Sequence, residues 1–385
     1  MRRAAALCCF LIAATASAQT NDLVLLRNAS GTAANPGPGD ARFRIAGNWT
    51  LFHDGSLFLT HSGQSGPKEQ RNEVFSTNWL AFGAHRTLGD RGELLFRVRG
   101  SLEPLTIPED GYPQLLQEIS AESGGPQIDT MRAHELIGEA AVHGALRIGT
   151  SSYLHLYAAG VGDPPLGPVP FAQRSSSREF AEAPLAYDVQ EQFHLATRVV
   201  TGGFSTRFFS LEGGVFHHSV TGGRHTSIDD GTIDSRAARV TLTPHPNLSI
   251  QYSRGELTDA DREVTSASAS WSSERAAISV IRTQRENPAG QALVSQGIEL
   301  ALRVAKRNTF LARVEAVDRL LHSLHPPDPD WTAHYSLGYI FDFIARSHRA
   351  GFGVNIDYHT DTHAIEDVYG HKPQSIFLFL RARTD

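Results

Sequence analysis

The sequence predicts an all-β fold, a transmembrane up-and-down antiparallel β-barrel of about sixteen strands. Apolar and polar residues alternate with a period of two in many segments, which is the strand period. Tight and long connections also alternate along the chain. Beyond the N-terminus, no apolar run approaches the roughly 18 residues of a membrane helix. The alternative is a barrel of fourteen strands, because the first two predicted strands show the least regular alternation of apolar and polar residues.

The N-terminus has the pattern of an export signal. A basic start at Met1-Arg2-Arg3 precedes an apolar stretch, and Ala16-Ser17-Ala18 is typical of a cleavage site. We therefore expect a signal peptide at 1–18, a flexible N-terminal lead rich in glycine and proline at 19–43, and the barrel at 44–385.

Composition excludes several classes of protein. The two cysteines fall within the predicted signal, so we expect the mature chain to have neither disulfides nor a thiolate metal site. The net charge of -6 gives no reason to expect nucleic-acid binding. No Gly-x-Ser-x-Gly elbow, phosphate loop or dinucleotide fingerprint is present, so we expect neither an enzyme nor a cofactor.

Alternation defines the expected strands. From Glu135 to Ile148, for example, one face is polar or small and the other is apolar. We place strands at 48–62, 73–87, 92–105, 134–147, 150–160, 192–205, 207–219, 233–243, 247–257, 263–273, 275–286, 294–305, 308–319, 332–344, 348–360 and 374–384.

Connection lengths distinguish a membrane barrel from a soluble β-sandwich. Every second link is tight, while two of the others, at 106–133 and 161–191, run to about thirty residues. Short periplasmic turns and long external loops are typical of outer-membrane barrels. The sequence thus predicts a cell outer-membrane location, with the bilayer lipid and the barrel-assembly machinery as partners. The proline-rich segment 161–191 either folds into the barrel mouth or forms an ordinary external cap.

Charges of both signs fall on the predicted lumen faces. In an open pore such residues set ion preference, whereas in a filled barrel they neutralise one another; both interpretations stay open. The candidates are Glu93, Arg97, Arg99, Glu103, Glu139, Arg147, Glu299, Arg303, Arg313, Glu315, Arg381 and Arg383.

Histidines on the same faces form two candidate metal-binding groups. His143 and His155 face each other if their hairpin pivots at Gly149, and His334 falls near Asp357 and His359. Imidazoles with a carboxylate can bind a divalent transition metal. The alternative is that these lumen histidines are simply hydrated.

Several short segments carry a family resemblance. They are Phe75-Ser76-Thr77-Asn78, Ser101-Leu102-Glu103-Pro104, Tyr112-Pro113-Gln114-Leu115-Leu116, Leu166-Gly167-Pro168-Val169, Glu182-Ala183-Pro184-Leu185 and Ser210-Leu211-Glu212-Gly213. On these the chain resembles an uncharacterised group of Gram-negative outer-membrane β-barrel proteins, some found near copper or heavy-metal genes. Where that group has His-Pro-His-Asp, this chain has Arg132-Ala133-His134-Glu135.

Three functions are consistent with the sequence. The leading hypothesis is a porin-like channel for ions or small solutes. The first alternative is a metal-linked binding or export-associated barrel that uses the lumen histidines. The second is a structural or adhesive envelope barrel whose lumen is plugged by its long loops.

Overall fold

A computed structural model of the chain describes residues 24–37, 42–65, 71–119, 127–218, 226, 228–229, 231–257, 262–286, 290–319, 330–345, 348–360, 369–370 and 373–384. The predicted signal peptide lies outside these residues. The strands are β1 (Arg42–Ala46), β2 (Trp49–Ser65), β3 (Glu73–Phe75), β4 (Asn78–Leu88), β5 (Gly92–Gly100), β6 (Tyr112–Ile119), β7 (Gln127–Met131), β8 (Ile137–Arg147), β9 (Ser152–Gly162), β10 (Ala196–Thr206), β11 (Phe209–His218), β12 (Ser235–His245), β13 (Leu248–Leu257), β14 (Arg262–Ser272), β15 (Ala276–Glu286), β16 (Ala292–Val304), β17 (Asn308–Arg319), β18 (Asp330–Ala345), β19 (His348–His359) and β20 (Gln374–Thr384).

One antiparallel sheet closes on itself. Its last strand, β20, pairs with β2 from Ser56↔Arg383 to Ser65↔Gln374. Strands β3 and β4 both pair with β2 and together occupy one strand position in the barrel wall; we call each such position a stave. Strand β1 forms a short hairpin with β2. The result is a closed barrel of sixteen antiparallel staves, which confirms the predicted fold class.

The two ends of the barrel differ in their connections. The turn end carries short links such as 89–91, 207–208 and 246–247, and the loop end carries the long ones, including 101–136 and 163–195. The predicted alternation of tight and long links is therefore present in the structure.

Side chains alternate across the wall. On β20, Ile376, Leu378 and Leu380 are exposed on the outer face, while Phe377 and Arg381 point inward and are buried. An apolar outer face with a polar interior is the pattern of a membrane barrel. Among the described residues, no helix has the length and apolar content that a membrane-crossing helix needs.

Three segments leave the wall. The insert (163–195) connects β9 to β10 and contains the helix α2 (Tyr187–Gln190) and a 3-10 turn at Gln192–His194. The N-terminal segment (24–37) begins with a 3-10 turn at Val24–Arg27. A cap between β5 and β8 holds the helix α1 (Glu103–Thr106) and the β6–β7 hairpin, which forms its own two-stranded sheet.

The structure corrects two sequence expectations. The third predicted strand, 92–105, stops at Gly100, so Glu103 lies in α1 rather than on the wall. The flexible lead expected at 19–43 is wrong for residues 24–37, which fold into the barrel, and β1 begins at Arg42. Wall side chains bind the backbone of the N-terminal segment, and such binding leaves no side-chain pattern in the sequence.

Candidate functional site

The insert fills the middle of the barrel. Its described side chains are buried apart from a few half-buried positions, although most of the insert is an irregular loop. Prolines at 164, 165, 168 and 170 remove backbone donors that would otherwise need partners there. At Gly167, where φ is +75°, a Cβ atom would lie 2.4 Å from the Phe193 ring, so only glycine fits.

Ion pairs fasten the insert to the wall. Arg174 donates two hydrogen bonds to Glu299 on β16, at 2.7 and 2.8 Å, and a third to Glu191 within the insert at 3.0 Å. On β17, Glu315 accepts from the backbone N–H groups of Leu185 and Ala186, at 2.9 and 3.2 Å. Charge-assisted contacts of this kind are among the stronger hydrogen bonds.

The insert also contacts the last staves. Glu179 pairs with Arg381 and Arg383 on β20, and Glu182 accepts from Asn355 on β19 at 2.7 Å. Burial and the neighbouring charge of Asp357 raise the pKa of Glu182 to about 8. Several staves thus hold one loop by its acidic side chains.

The N-terminal segment enters from the turn end. Leu25 packs against Leu95 and Ala145 near that end. Deeper in the lumen, Arg97 donates to the carbonyl of Gly31 at 2.8 Å, and Glu139 accepts from the Gly31 N–H at 3.1 Å. The wall therefore binds both the backbone of this segment and side chains such as Leu25 and Thr32, whose hydroxyl accepts from Arg239.

The N-terminal segment and the insert contact each other inside the barrel. The N–H of Ser30 donates to Gln173 Oε1 at 2.7 Å, and Asn35 donates to the Gln173 carbonyl at 3.1 Å. A Cβ atom at Gly31 would lie 2.6 Å from the Asp163 carbonyl oxygen. One segment from each end of the barrel therefore closes against the other.

The structure places the predicted lumen charges as follows. Eight of them are buried on inward wall positions, three are half-buried and inward, and Glu103 is buried in the cap. The buried wall residues are Glu93, Arg97, Glu139, Glu299, Arg313, Glu315, Arg381 and Arg383, and the half-buried ones are Arg99, Arg147 and Arg303. Most of these pair with one another or with the insert, as Arg97 does with Glu139 at 2.8 Å.

The predicted opposition of His143 and His155 is wrong in register. His143 pairs with Tyr157, and His155 pairs with Ala145, because the hairpin pivots one residue beyond Gly149. The diagonal still brings His143 Nε2 within 3.4 Å of His155 Nδ1. Glu139 binds Arg97 and the Tyr157 hydroxyl instead of joining the histidines.

The second histidine group is brought together. His334 and His359 are direct strand partners with stacked rings 4.8 Å apart. His334 Nδ1 lies 2.9 Å from Glu315, and its Nε2 lies 3.3 Å from Asp357. Throughout the described part of the chain, no three His, Cys, Asp or Glu side chains are arranged to hold a metal ion.

Comparisons with known proteins identify the fold. No protein-family description and no curated protein matches the sequence. The anion-selective porin from Comamonas acidovorans matches with a TM-score of 0.54 and 12% identity over 87% of this chain and 99% of that one. Salmonella typhi OmpF in complex with daunomycin matches with a TM-score of 0.54 and 8% identity over 89% and 100%. Pseudomonas putida OprB matches with a TM-score of 0.51 and 10% identity over 87% and 94%.

This chain has the porin fold. The expected family resemblance is thereby supported as a likeness to Gram-negative outer-membrane porins, and no link to copper or heavy metals is shown. At such low identity the likeness concerns the fold alone, so the function has to be argued from the lumen of this porin-fold barrel.

Solvent access to the lumen is uneven. Several inward residues on β13, β15 and β16 are almost fully covered, with Ser253 1% exposed and Thr283 and Ser295 not exposed at all. On the side of β2, β4 and β5, the side chains of Asp54 and Arg99 keep 20% and 14% exposure. We call the gap on this side the crescent; it lies between the insert and staves β2, β4, β5 and β8.

A cavity of about 100 Å³ lies in the crescent, with room for several waters. Its apolar lining is mainly aromatic, and its polar lining includes a cation from the wall and a histidine from the insert. Lining side chains include Phe58, Trp79, Arg99, Phe171, Arg178, Phe180, Tyr187 and His194. Sequence reasoning missed the aromatic and insert residues, because single aromatics in a loop have no periodicity. The proline run beginning at Asp163 was the available signal.

Proposed function

We propose that this protein is a restrictive outer-membrane channel, in which small polar solutes or ions cross the barrel through the crescent. The observation that carries the proposal is the one-sided exposure of the lumen. The wall opposite the crescent is covered by the insert, whereas Asp54, Trp79 and Arg99 retain contact with solvent.

The porin fold and the charged lining support this function. Two ion pairs bridge the crescent between wall and insert: Arg99 pairs with Asp163 at 3.2 Å, and Arg178 pairs with Asp54 at 3.0 Å. Opposed charges in a narrow passage act on the orientation and sign of a passing solute. The crescent is one-sided and small, so we expect low conductance and exclusion of large solutes.

Planar-bilayer recording of the purified barrel tests the proposal. We expect discrete openings of low conductance. Ala172 of the insert is half-buried and lines the cavity, so Ala172→Trp should at least halve the conductance. The matched control is Ala267→Trp, which lies on the outer face of β14 and should leave the conductance unchanged. Equal conductance of all three proteins would place the passage elsewhere and refute the proposal.

A plugged structural barrel is the second candidate, and the burial of the insert favours it. Nearly every side chain that the structure describes from 163 to 195 is covered, and the N-terminal segment is bound inside the barrel by Arg97. If the intact protein shows no openings at any voltage but conducts after deletion of residues 171–190, the insert acts as a permanent plug. That result would replace the channel with this second function.

A further inference from the structure

The turn end of the barrel carries an exposed set of basic side chains. They lie in the short links between β4 and β5, β10 and β11, β14 and β15, and β16 and β17. We call this set the basic collar; its members are Arg91, Arg207, Arg275, Lys306 and Arg307. The carboxylates in the same links are Asp90 and Glu274, so cations predominate there although the whole chain has a net charge of -6.

The collar cations have no partner of opposite charge. None of them forms an ion pair with a carboxylate that the structure describes. The exposed arginines near the loop end differ, since Arg236 pairs with Glu256 at 2.6 Å and Arg254 pairs with Glu263 at 2.7 Å. The positive charge of the turn end is therefore not compensated within the described part of the protein, and it attracts anions that lie next to this rim.

Aromatic side chains on the outer wall place the collar at the level of the lipid headgroups. Phe209, Trp271 and Phe310 are exposed there, each within four residues of a collar cation. Phe310 also meets Tyr339 of the next stave with ring centroids 5.3 Å apart. Aromatic residues of outer-membrane barrels form girdles at the membrane interfaces, and the short turns face the periplasm. The collar therefore lies where the phosphate groups of the periplasmic leaflet begin.

We propose that the basic collar binds anionic phospholipids of the periplasmic leaflet, through ion pairs between its cations and the headgroup phosphates. Lysine and arginine side chains next to an anionic membrane surface each add to the attraction. A lipid matches both parts of this rim, because its phosphate meets the cations while its acyl chains cover the apolar wall beside them. A soluble anion would leave the aromatic rings unused. The collar lies outside the crescent, so this inference does not depend on the channel.

Quenching of tryptophan fluorescence by brominated lipids tests the preference. In Trp331→Phe, the remaining tryptophans of the outer face are Trp49 and Trp271, and both lie near the turn end. This protein is reconstituted in phosphatidylcholine vesicles that contain dibrominated phosphatidylglycerol or dibrominated phosphatidylcholine. We expect phosphatidylglycerol to bind roughly fivefold more tightly at low salt. The preference should disappear at about 1 M salt, where exposed charges are screened. Equal quenching by the two lipids at low salt would overturn the proposal.

Paired variants localise the binding. Arg275→Gln combined with Arg307→Gln removes two collar cations and should at least halve the preference for phosphatidylglycerol. The matched control, Arg236→Gln combined with Arg254→Gln, removes two exposed cations near the loop end and should leave the preference unchanged. A preference that survives the loss of Arg275 and Arg307, or that falls equally in the control, would refute the collar as the site.

A competition experiment distinguishes lipid from free anion. Inorganic phosphate should lower the preference no more than sodium chloride of the same ionic strength, because screening is then its only effect. Stronger competition by phosphate would identify a site for a soluble anion and overturn the assignment to lipid.

Discussion

Arg174 is the strongest anchor of the insert, and its replacement has a calculable effect. Arg174→Met keeps the aliphatic stem but removes the donors to Glu299 and Glu191, both of which are buried. Breaking a buried ion pair costs about 3–5 kcal/mol. Arg313 lies 3.6 Å from Glu299 and offsets part of the loss, so we take about 3 kcal/mol.

This cost affects the insert and not the wall. The strand pairing of β15, β16 and β17 does not involve Arg174, so the barrel should melt at the same temperature. A local penalty of about 3 kcal/mol corresponds to a roughly hundredfold larger opening constant. Native-state hydrogen exchange measured by mass spectrometry reports this constant directly, as faster exchange of amides in residues 171–191.

Two further variants define the test. Arg254→Met removes an exposed ion pair with Glu263 on the outer face and should leave exchange of the insert unchanged. Arg174→Met combined with Glu299→Gln removes both charges and should open the insert less than Arg174→Met alone. If the amides of the insert in Arg174→Met exchange less than three times faster than those of the unaltered chain, the ion pair does not hold the insert against the wall.

Other predictions concern the internal segments. Deleting residues 24–37 should at least double the single-channel conductance, and unchanged conductance would show that they lie outside the passage. Gly31→Val should act in the same direction in bilayers, because its Cβ would collide with the Asp163 carbonyl. Because the pKa of Glu182 is raised from 4.5 to about 8, the folded state keeps a proton that the unfolded chain releases above pH 4.5. The contribution of this proton to the stability of the folded insert is complete below pH 4.5 and is lost as the pH rises through about 8. Insert exchange, corrected for its intrinsic pH dependence, should therefore quicken between pH 6 and 9, and Glu182→Gln should flatten the profile.

The wall could be predicted because its physics is local. On β17 and β20, residues alternate between a lipid-facing and a lumen-facing position, and Arg313, Glu315 and Arg381 fall on the inward face by parity alone. The break between β3 and β4 could not be predicted. Thr77 there accepts from the Phe58 N–H and donates to the Ala181 carbonyl, which is a tertiary contact with the insert.

The contents of the lumen were outside the reach of the sequence for a similar reason. Glu299 looks like a pore charge until Arg174, 125 residues away, is known to bind it. The N-terminal segment is rich in Ala, Ser, Gly, Thr and Asn, which is typical of flexible chain. Its order comes from long-range contacts with the wall, in which Arg97 and Glu139 bind the peptide groups of Gly31 and Arg239 binds the Thr32 hydroxyl.

The seam between β2 and β20 also constrains how the protein is assembled. The contact of the Gly55 N–H with Thr384 joins residues 329 positions apart, so the sheet keeps two free edges until the end of the chain has been made. Pairings of such long range form slowly, and unpaired edges are templates for aggregation. Strand β20 therefore closes the barrel. A chain that ended before Gln374 would keep every contact between the insert and the wall except those on β20, but its sheet would stay open.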